Sequence, residues 1–307
     1  RFIPSIDGFS VHRYSASDPK SLADSNTISL FQDSGGLLWV GTKTAGVSKW
    51  NPRSWSFGHI LPSLVAGNEE LIRRATSFAE ARDGELWFGS FGAGLAKVDS
   101  LGTVTDRVWS GGPDCSRIDD DRVMALIRQG DLLWIGTMSG GLSRFNLDTG
   151  DVRTYRASAD IEGSVASDGI MSLYVDQDGT LWVGTFGGGV DRFDAKNERF
   201  TNFRHDPEDP TSLSNSRATA MVSDRSGRLW VGTAGGGLNR RAGSGLAWEH
   251  VDLSVESSAA SSVTVSALHL DAKGRLWVGT REGLYRFDRP NQPIESLTYR
   301  RYDTLSG

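Results

Sequence analysis

The chain has 307 residues, of which 38% are hydrophobic and 23% charged, and its formal net charge is −5. That composition fits an ordinary globular chain with a sizeable core, and no run approaches the roughly 20 apolar residues that span a bilayer. The acidic balance argues against a nucleic-acid binder, which normally carries a basic face, and a single cysteine, Cys115, excludes an internal disulfide.

In chain order, Arg1-Phe2, Phe9 and Leu22 repeat the spacing of Arg192-Phe193, Phe200 and Leu213, and of Arg144-Phe145, Val152 and Val165. Residues 1–22 therefore read as strands C and D of a blade that lacks A and B. Six units of about 48 residues follow, marked by Trp39, Trp87, Trp134, Trp182, Trp230 and Trp277 at intervals of 47 or 48 residues. A leucine precedes each tryptophan, and a glycine stands two residues after it, followed by Thr or Ser. Alternation with period two surrounds these anchors, the mark of strands. Each unit reads as strand A, an Asp/Gly turn, strand B with the tryptophan, a glycine-rich loop, strand C, a turn and strand D. In the fourth unit Ile170–Asp176 is A, Leu181–Gly184 is B and Gly189–Phe193 is C, while Asp151–Tyr155 shows the D strand one unit earlier. The chain closes on Tyr299-Arg-Arg-Tyr302, a D strand, then Asp303–Gly307. Four-stranded units at this period predict an all-β propeller, one domain over 1–307, with six complete blades and half of a seventh. Strands A and B of the seventh are expected beyond Gly307, pairing with residues 1–22 to close a seven-bladed ring in the parent protein.

Most repeated residues read as packing. Along strand A the positions Ser29, Ser77, Ala125, Ser172, Ala220 and Ala267 are small, where blades should crowd, and each is followed by a large apolar residue. Asp33, Asp176 and Asp224 open turns that their own carboxylates should cap; calcium would need more converging oxygens. The turn is reminiscent of the Asp-box turn of sialidases. Loops such as Thr185-Phe-Gly-Gly-Gly189 precede strands rather than helices, so they are no phosphate cradle. The histidines lack metal spacing, and no catalytic constellation, cofactor site or metal site emerges.

Binding is expected where the D–A and B–C loops meet, at the mouth of the propeller channel. Just before strand A stand Asn26, Arg74, Arg122, Gly169, Arg217 and Thr264; just after the Gly-Thr pair stand Lys43, Phe91, Met138, Phe186, Ala234 and Arg281. These differ from blade to blade. Arg74, Arg122 and Arg217 suit an anionic group, Phe91 and Phe186 suit stacking, and Lys43, Arg281 and Asp168 complete the candidates. The opposing reading pairs the arginines with Asp119–Asp121, Glu69 and Glu70, solvated and idle.

The pattern Asp-x-x-Gly-x-Leu-Trp-Val-Gly-Thr-x-x-Gly-Gly-Leu-x-Arg-Phe, with Asp18-Pro19, Ser21-Leu22 and Asp209-Pro210, Ser212-Leu213 in D–A loops, closely resembles the two-component regulator propeller repeat. Blade two departs at Ala81 and in its long D–A segment, and blade three has a shorter turn. The resemblance implies the periplasmic, ligand-sensing part of a membrane-bound histidine kinase or diguanylate cyclase receptor. It implies a small-molecule or glycan ligand, leaves a homodimer open, and touches the membrane only through the rest of the parent. It transfers no ligand-binding residue. Two other readings stand beside it: a propeller lyase or glycosidase, for which Asp168 is the one loosely suitable carboxylate, and a protein-interaction or dimerisation scaffold.

Overall fold

The computed structural model describes residues 2–51, 56–60, 73–81, 84–99, 102–113, 117–241, 243, 245–251, 253 and 263–303. They fall into two compact units, Arg1–Thr154 and Tyr155–Gly307. Among the described residues there is no α-helix, only one 3-10 turn at Ile294–Ser296, and no helix long and apolar enough to cross a membrane.

Among the described residues the strands form six four-stranded sheets and one two-stranded sheet. In each large sheet strands A, B, C and D lie side by side in chain order, the meander of a β-propeller blade. Blades 1 to 3 cover 27–60, 75–108 and 123–155, and blades 4 to 6 cover 170–203, 218–251 and 265–302. The two-stranded sheet pairs Phe2–Ile3 with Gly8–Phe9, and its Phe2↔Phe9 partnership repeats the Phe193↔Phe200 pairing of strands C and D in blade 4.

The tryptophan of strand B is the packing unit. Trp39, Trp87, Trp134, Trp182 and Trp230 are buried, whereas Trp277 is half-buried, so the last blade departs from the expected uniform core. Burying an indole removes on the order of 200 Å² from water, worth about 5 kcal/mol at 25 cal/mol per Å² before ordering entropy. Every one of these tryptophans is paired across to strand C with a basic residue: Lys49, Lys97, Arg144, Arg192, Arg240 and Arg286. The cation lies over the indole at 4.8 Å for Lys49 and 5.4 Å for Arg240, a cation–π contact strengthened where water is excluded.

The indole nitrogen is tied as well. In blades 1, 4, 5 and 6 the turn aspartate accepts the indole N–H with one oxygen: Trp39 to Asp33 at 2.8 Å, Trp182 to Asp176 at 2.9 Å, Trp230 to Asp224 at 3.1 Å and Trp277 to Asp271 at 3.0 Å. Its other oxygen takes turn amides, Leu37 N–H for Asp33 and Thr180 N–H for Asp176. In blade 3, which has the shorter turn, Gln129 accepts from Trp134 at 3.0 Å. Asp271 shows the balance: burial opposes its ionisation, but Trp277 and the Arg275 amide and guanidinium bring its pKa down to about 2.

Blades approach one another at the glycine two residues past the tryptophan. A Cβ on Gly41 would stand 2.1 Å from the Ala75 carbonyl oxygen, and one on Gly89 would stand 2.4 Å from Val123 Cγ1, each on the next blade. Every strand A also carries a β-bulge at its start, between Thr27 and Ser29 in blade 1 and at the equivalent place in the other five. The bulge re-aims two successive side chains, so hydroxyls from either position reach the next blade: Ser29 donates to the Ala75 carbonyl at 2.5 Å and Thr76 to the Val123 carbonyl at 2.6 Å. Ser29 and Ser172, which donates to the Ala218 carbonyl, thus stand at a blade contact, as expected of small residues on strand A. The following apolar position is uneven: Phe78 and Leu126 are buried, while Leu30 is 67% exposed.

The Asp-Pro-x-Ser-Leu loops are closed by their serine. Ser21 Oγ accepts the Ser15 amide and donates to the Ser15 carbonyl, and Ser212 does the same with Asp206. A strand C side chain then holds the loop by the amide two residues past that serine: Ser48 takes Ala23 N–H, Asp191 takes Ala166 N–H, and Asn239 takes Ser214 N–H. Asp191 is fully buried, and desolvation pushes its pKa up to about 7 against the lowering effect of its amide bonds and of Arg204.

Two outcomes follow from this packing. Asp224→Ala leaves the buried Trp230 N–H and two turn amides without their acceptor and is expected to cost about 2–4 kcal/mol, read from the urea midpoint at unchanged slope. Asp191 binds its proton more tightly folded than unfolded, so its contribution is complete below about pH 4 and is lost as pH rises through about 7. Asp191→Asn, the amide found at the equivalent Asn239, is expected to flatten stability over that window and to raise it above pH 7, measured by denaturant unfolding from pH 4 to 8.

Candidate functional site

The residues flanking strands A and B are brought together by main-chain bonds. The amide after strand B donates to the carbonyl before strand A of the same blade: Lys43 to Asn26, Phe91 to Arg74, Met138 to Arg122, Phe186 to Gly169 and Ala234 to Arg217, at 2.7–3.2 Å. β-Bridges then join Phe91 to Arg122, Phe186 to Arg217 and Ala234 to Thr264, each on the next blade. The first unit therefore carries a continuous rim, Arg74–Phe91–Arg122–Met138. The second carries Gly169–Phe186–Arg217–Ala234–Thr264. The glycine-rich loops serve the same contact: Gly92 and Gly94 amides donate to the Asp121 carbonyl, and Gly187 and Gly189 amides to that of Ser216. At Gly189 the backbone has φ +85°, and a Cβ would lie 2.0 Å from the Phe203 carbonyl oxygen, so only glycine fits there.

The side chains on the two rims differ in how far they are engaged. Arg74, itself at φ +54°, lays its guanidinium over Phe91 at 5.8 Å, and Arg217 lies over Phe186 at 5.0 Å. Arg74 and Arg217 are exposed, Phe91 is half-buried and Phe186 is 50% exposed. Arg122 is different: it forms a fork with Asp120 at 2.9 and 3.0 Å and donates to Ser139 at 2.6 Å. Partial burial works against ionisation of Asp120, but the Arg122 and Ser139 bonds hold its carboxyl below the usual range. For Arg122, then, the idle pairing with a loop acid is what the structure contains. Lys43 and Arg281 stand exposed on their own units.

Asp168 is occupied, accepting the Ala157 amide at 2.8 Å and pairing with Arg156 at 3.2 Å. Asp121 takes the Ser110 amide and hydroxyl from the equivalent place in the first unit, so this carboxylate ties down the segment after a D strand. The histidines have similar work: His59 bridges Ser48 and the Pro19 carbonyl, His205 donates to the Leu213 carbonyl and His250 to that of Ser212. No group of three or more His, Cys, Asp or Glu able to hold a metal occurs among the described residues. Cys115, Glu69 and Glu70 lie outside the described residues.

Sequence reasoning overlooked two features of this framework. The basic residue paired across from each tryptophan was signalled by a Lys or Arg ten residues after it, nine in the last blade. The Asp120–Arg122 fork had only the i, i+2 proximity of opposite charges as its sign.

Comparison with solved structures places the fold. The extracellular domain of BT4673 from B. thetaiotaomicron, described as a hybrid two component system, matches with TM-score 0.70 at 20% identity, covering 96% of this chain and 35% of that one. This chain thus spans about a third of that domain's length. PorZ, a bacterial surface component of the type-IX secretion system of Porphyromonas gingivalis, matches with TM-score 0.71 at 15% identity over 96% of this chain and 44% of its own. Virginiamycin B lyase from Staphylococcus aureus matches with TM-score 0.66 at 14% identity over 92% and 86%. Comparison with curated protein sequences finds no match. The family described as "Two component regulator propeller" matches residues 21–44, 164–187, 212–235 and 259–282, segments that each run from a D–A loop through strand B. By these four segments and by its blades, the chain is similar to the two-component regulator propeller family.

Proposed function

We propose that the chain is the ligand-sensing propeller of a membrane-bound receptor, a two-component histidine kinase or diguanylate cyclase receptor, working outside the cytoplasm. The family match in four segments supports the signalling context, and likeness of fold to an extracellular domain described as belonging to a hybrid two component system supports the compartment. On this reading the propeller binds and does not turn over its ligand, and catalysis belongs to another part of the receptor.

The observation that carries the reading is the pairing of an exposed arginine with a phenylalanine at rim positions that vary between blades: Arg217 over Phe186 in one unit, Arg74 over Phe91 in the other. Stacking holds the guanidinium plane and leaves its N–H edge for a carboxylate or sulfate. Half of the Phe186 surface is open to a sugar ring. Acidic sugars combine the two features, and each charge-assisted bond is worth about 1.5–3 kcal/mol. A ligand that binds one receptor conformation better than another shifts their populations by that difference.

Titration calorimetry with a panel of uronate and sulfated oligosaccharides, alongside neutral ones, tests this. The tightest acidic member is expected to lose about tenfold or more in affinity with Arg217→Glu or Arg74→Glu, whichever unit holds it. Phe186→Ala is expected to weaken an Arg217-dependent ligand further. Equal affinity in both charge reversals, or preference for neutral sugars, rules the site out.

A further inference from the structure

A second cavity, unrelated to the rim, lies wholly within the first unit at the turn end of the A strands. It is an open cleft of about 610 Å³ lined by Phe31, Phe78, Ala79, Leu126, Glu80 and Arg128, among others. That volume lies within the range of small-molecule sites, about 300–1,000 Å³. Its origin is legible from the repeat. Successive side chains of strand A point to opposite faces of the blade, so each contact between neighbouring blades sets one A-strand residue against another. In the first contact Phe31 stacks on Phe78, centroids 6.3 Å apart. In the second unit Tyr174 packs in the cluster of Met221, and Val222 in that of Leu268. The contact between blades 2 and 3 has only Ala79 with Leu126. Ala79 occupies a position where the other blades carry Phe31, Ile127, Tyr174, Val222 and His269, so its side chain fills less of this contact than those residues would.

The next position is charged in the same two blades, and blade 1 has the neutral Gln32 there. Blades 4, 5 and 6 have Val175, Ser223 and Leu270 there, whereas blades 2 and 3 have Glu80 and Arg128. Arg128 is oriented by bonds from Nε to the Gly130 carbonyl at 2.9 Å and from Nη1 to the Glu80 carbonyl at 3.3 Å, which leaves its Nη2 edge to meet an anion. The Glu80 carboxylate accepts the Ser34 amide and hydroxyl, and its charge in the same lining opposes a second negative group.

We propose that this cavity binds a small aromatic monocarboxylate. The ring lies over Ala79 and Leu126 beside the two phenylalanines, and the carboxylate meets Arg128. Flat rings suit the walls, since offset or edge-to-face contacts with Phe31 and Phe78 add to area burial. One guanidinium facing one carboxylate selects a single negative charge over a dianion.

Amide chemical-shift titration of the whole chain with phenylacetate tests the proposal, with phenylacetamide and phthalate as controls. Saturable shifts are expected at Ala79, Leu126 and Ile127, at least tenfold weaker for phenylacetamide and absent for phthalate. Ala79→Leu is expected to abolish binding by filling the slot. Arg128→Gln, a half-buried site whose loss leaves the core intact, is expected to weaken phenylacetate at least tenfold. Arg217→Glu, on the rim of the other unit, is expected to leave it unchanged, so failure of this site and failure of the rim are read separately. Absence of saturable shifts at those amides, or equal affinity in the Arg128→Gln protein, overturns the assignment.

Discussion

The structure depends on holding a polar-edged, bulky indole inside a stack of sheets without leaving its N–H unpaired. A buried donor without an acceptor costs about 1–3 kcal/mol, and the repeat contains six such indoles. The solution is local. The aspartate that opens the A–B turn caps that turn with one oxygen and accepts the indole with the other, while a strand C cation covers the ring. Blades 1, 3, 4, 5 and 6 therefore satisfy their own tryptophan before they meet a neighbour, while blade 2 has Ala81 in place of the aspartate. Blade 3 achieves the same end with Gln129, which explains how a shorter turn is tolerated there.

Contact between blades is then left to small groups. Glycine on strand B admits the next blade's backbone, and hydroxyls on the bulged strand A bond across to it. This division explains which positions recur and which drift. Residues serving the indole or the close approach are repeated, and those beyond them are not.

The repeat, the blade count and the strand order were legible because period-two alternation and the Leu-Trp-x-Gly-Thr core are local in sequence. Strand ends fell within a residue of expectation in blade 4, where strand A is Ile170–Val175 and strand B Leu181–Thr185. The rim was partly legible. The alternation of Arg74, Phe91 and Arg122 along it follows from which loops share an end of the blade, but the Asp120 fork that engages Arg122 does not. The second oxygen of the turn aspartate, the bulge and the Asp191 latch were hidden for one reason. Each is a bond between residues whose proximity depends on sheet register or loop closure, and sequence spacing carries only the period.

The rim itself is assembled from amide and carbonyl groups, not from the side chains it displays. Arg74, Phe91, Met138, Phe186 and Ala234 all sit in the same main-chain pattern, so their identities can change while the framework keeps its geometry. Such an arrangement uncouples what is recognised from what is folded. Related chains can diversify their specificity one blade at a time, much as letters are exchanged in a fixed frame of type, with no compensating change in the sheets beneath.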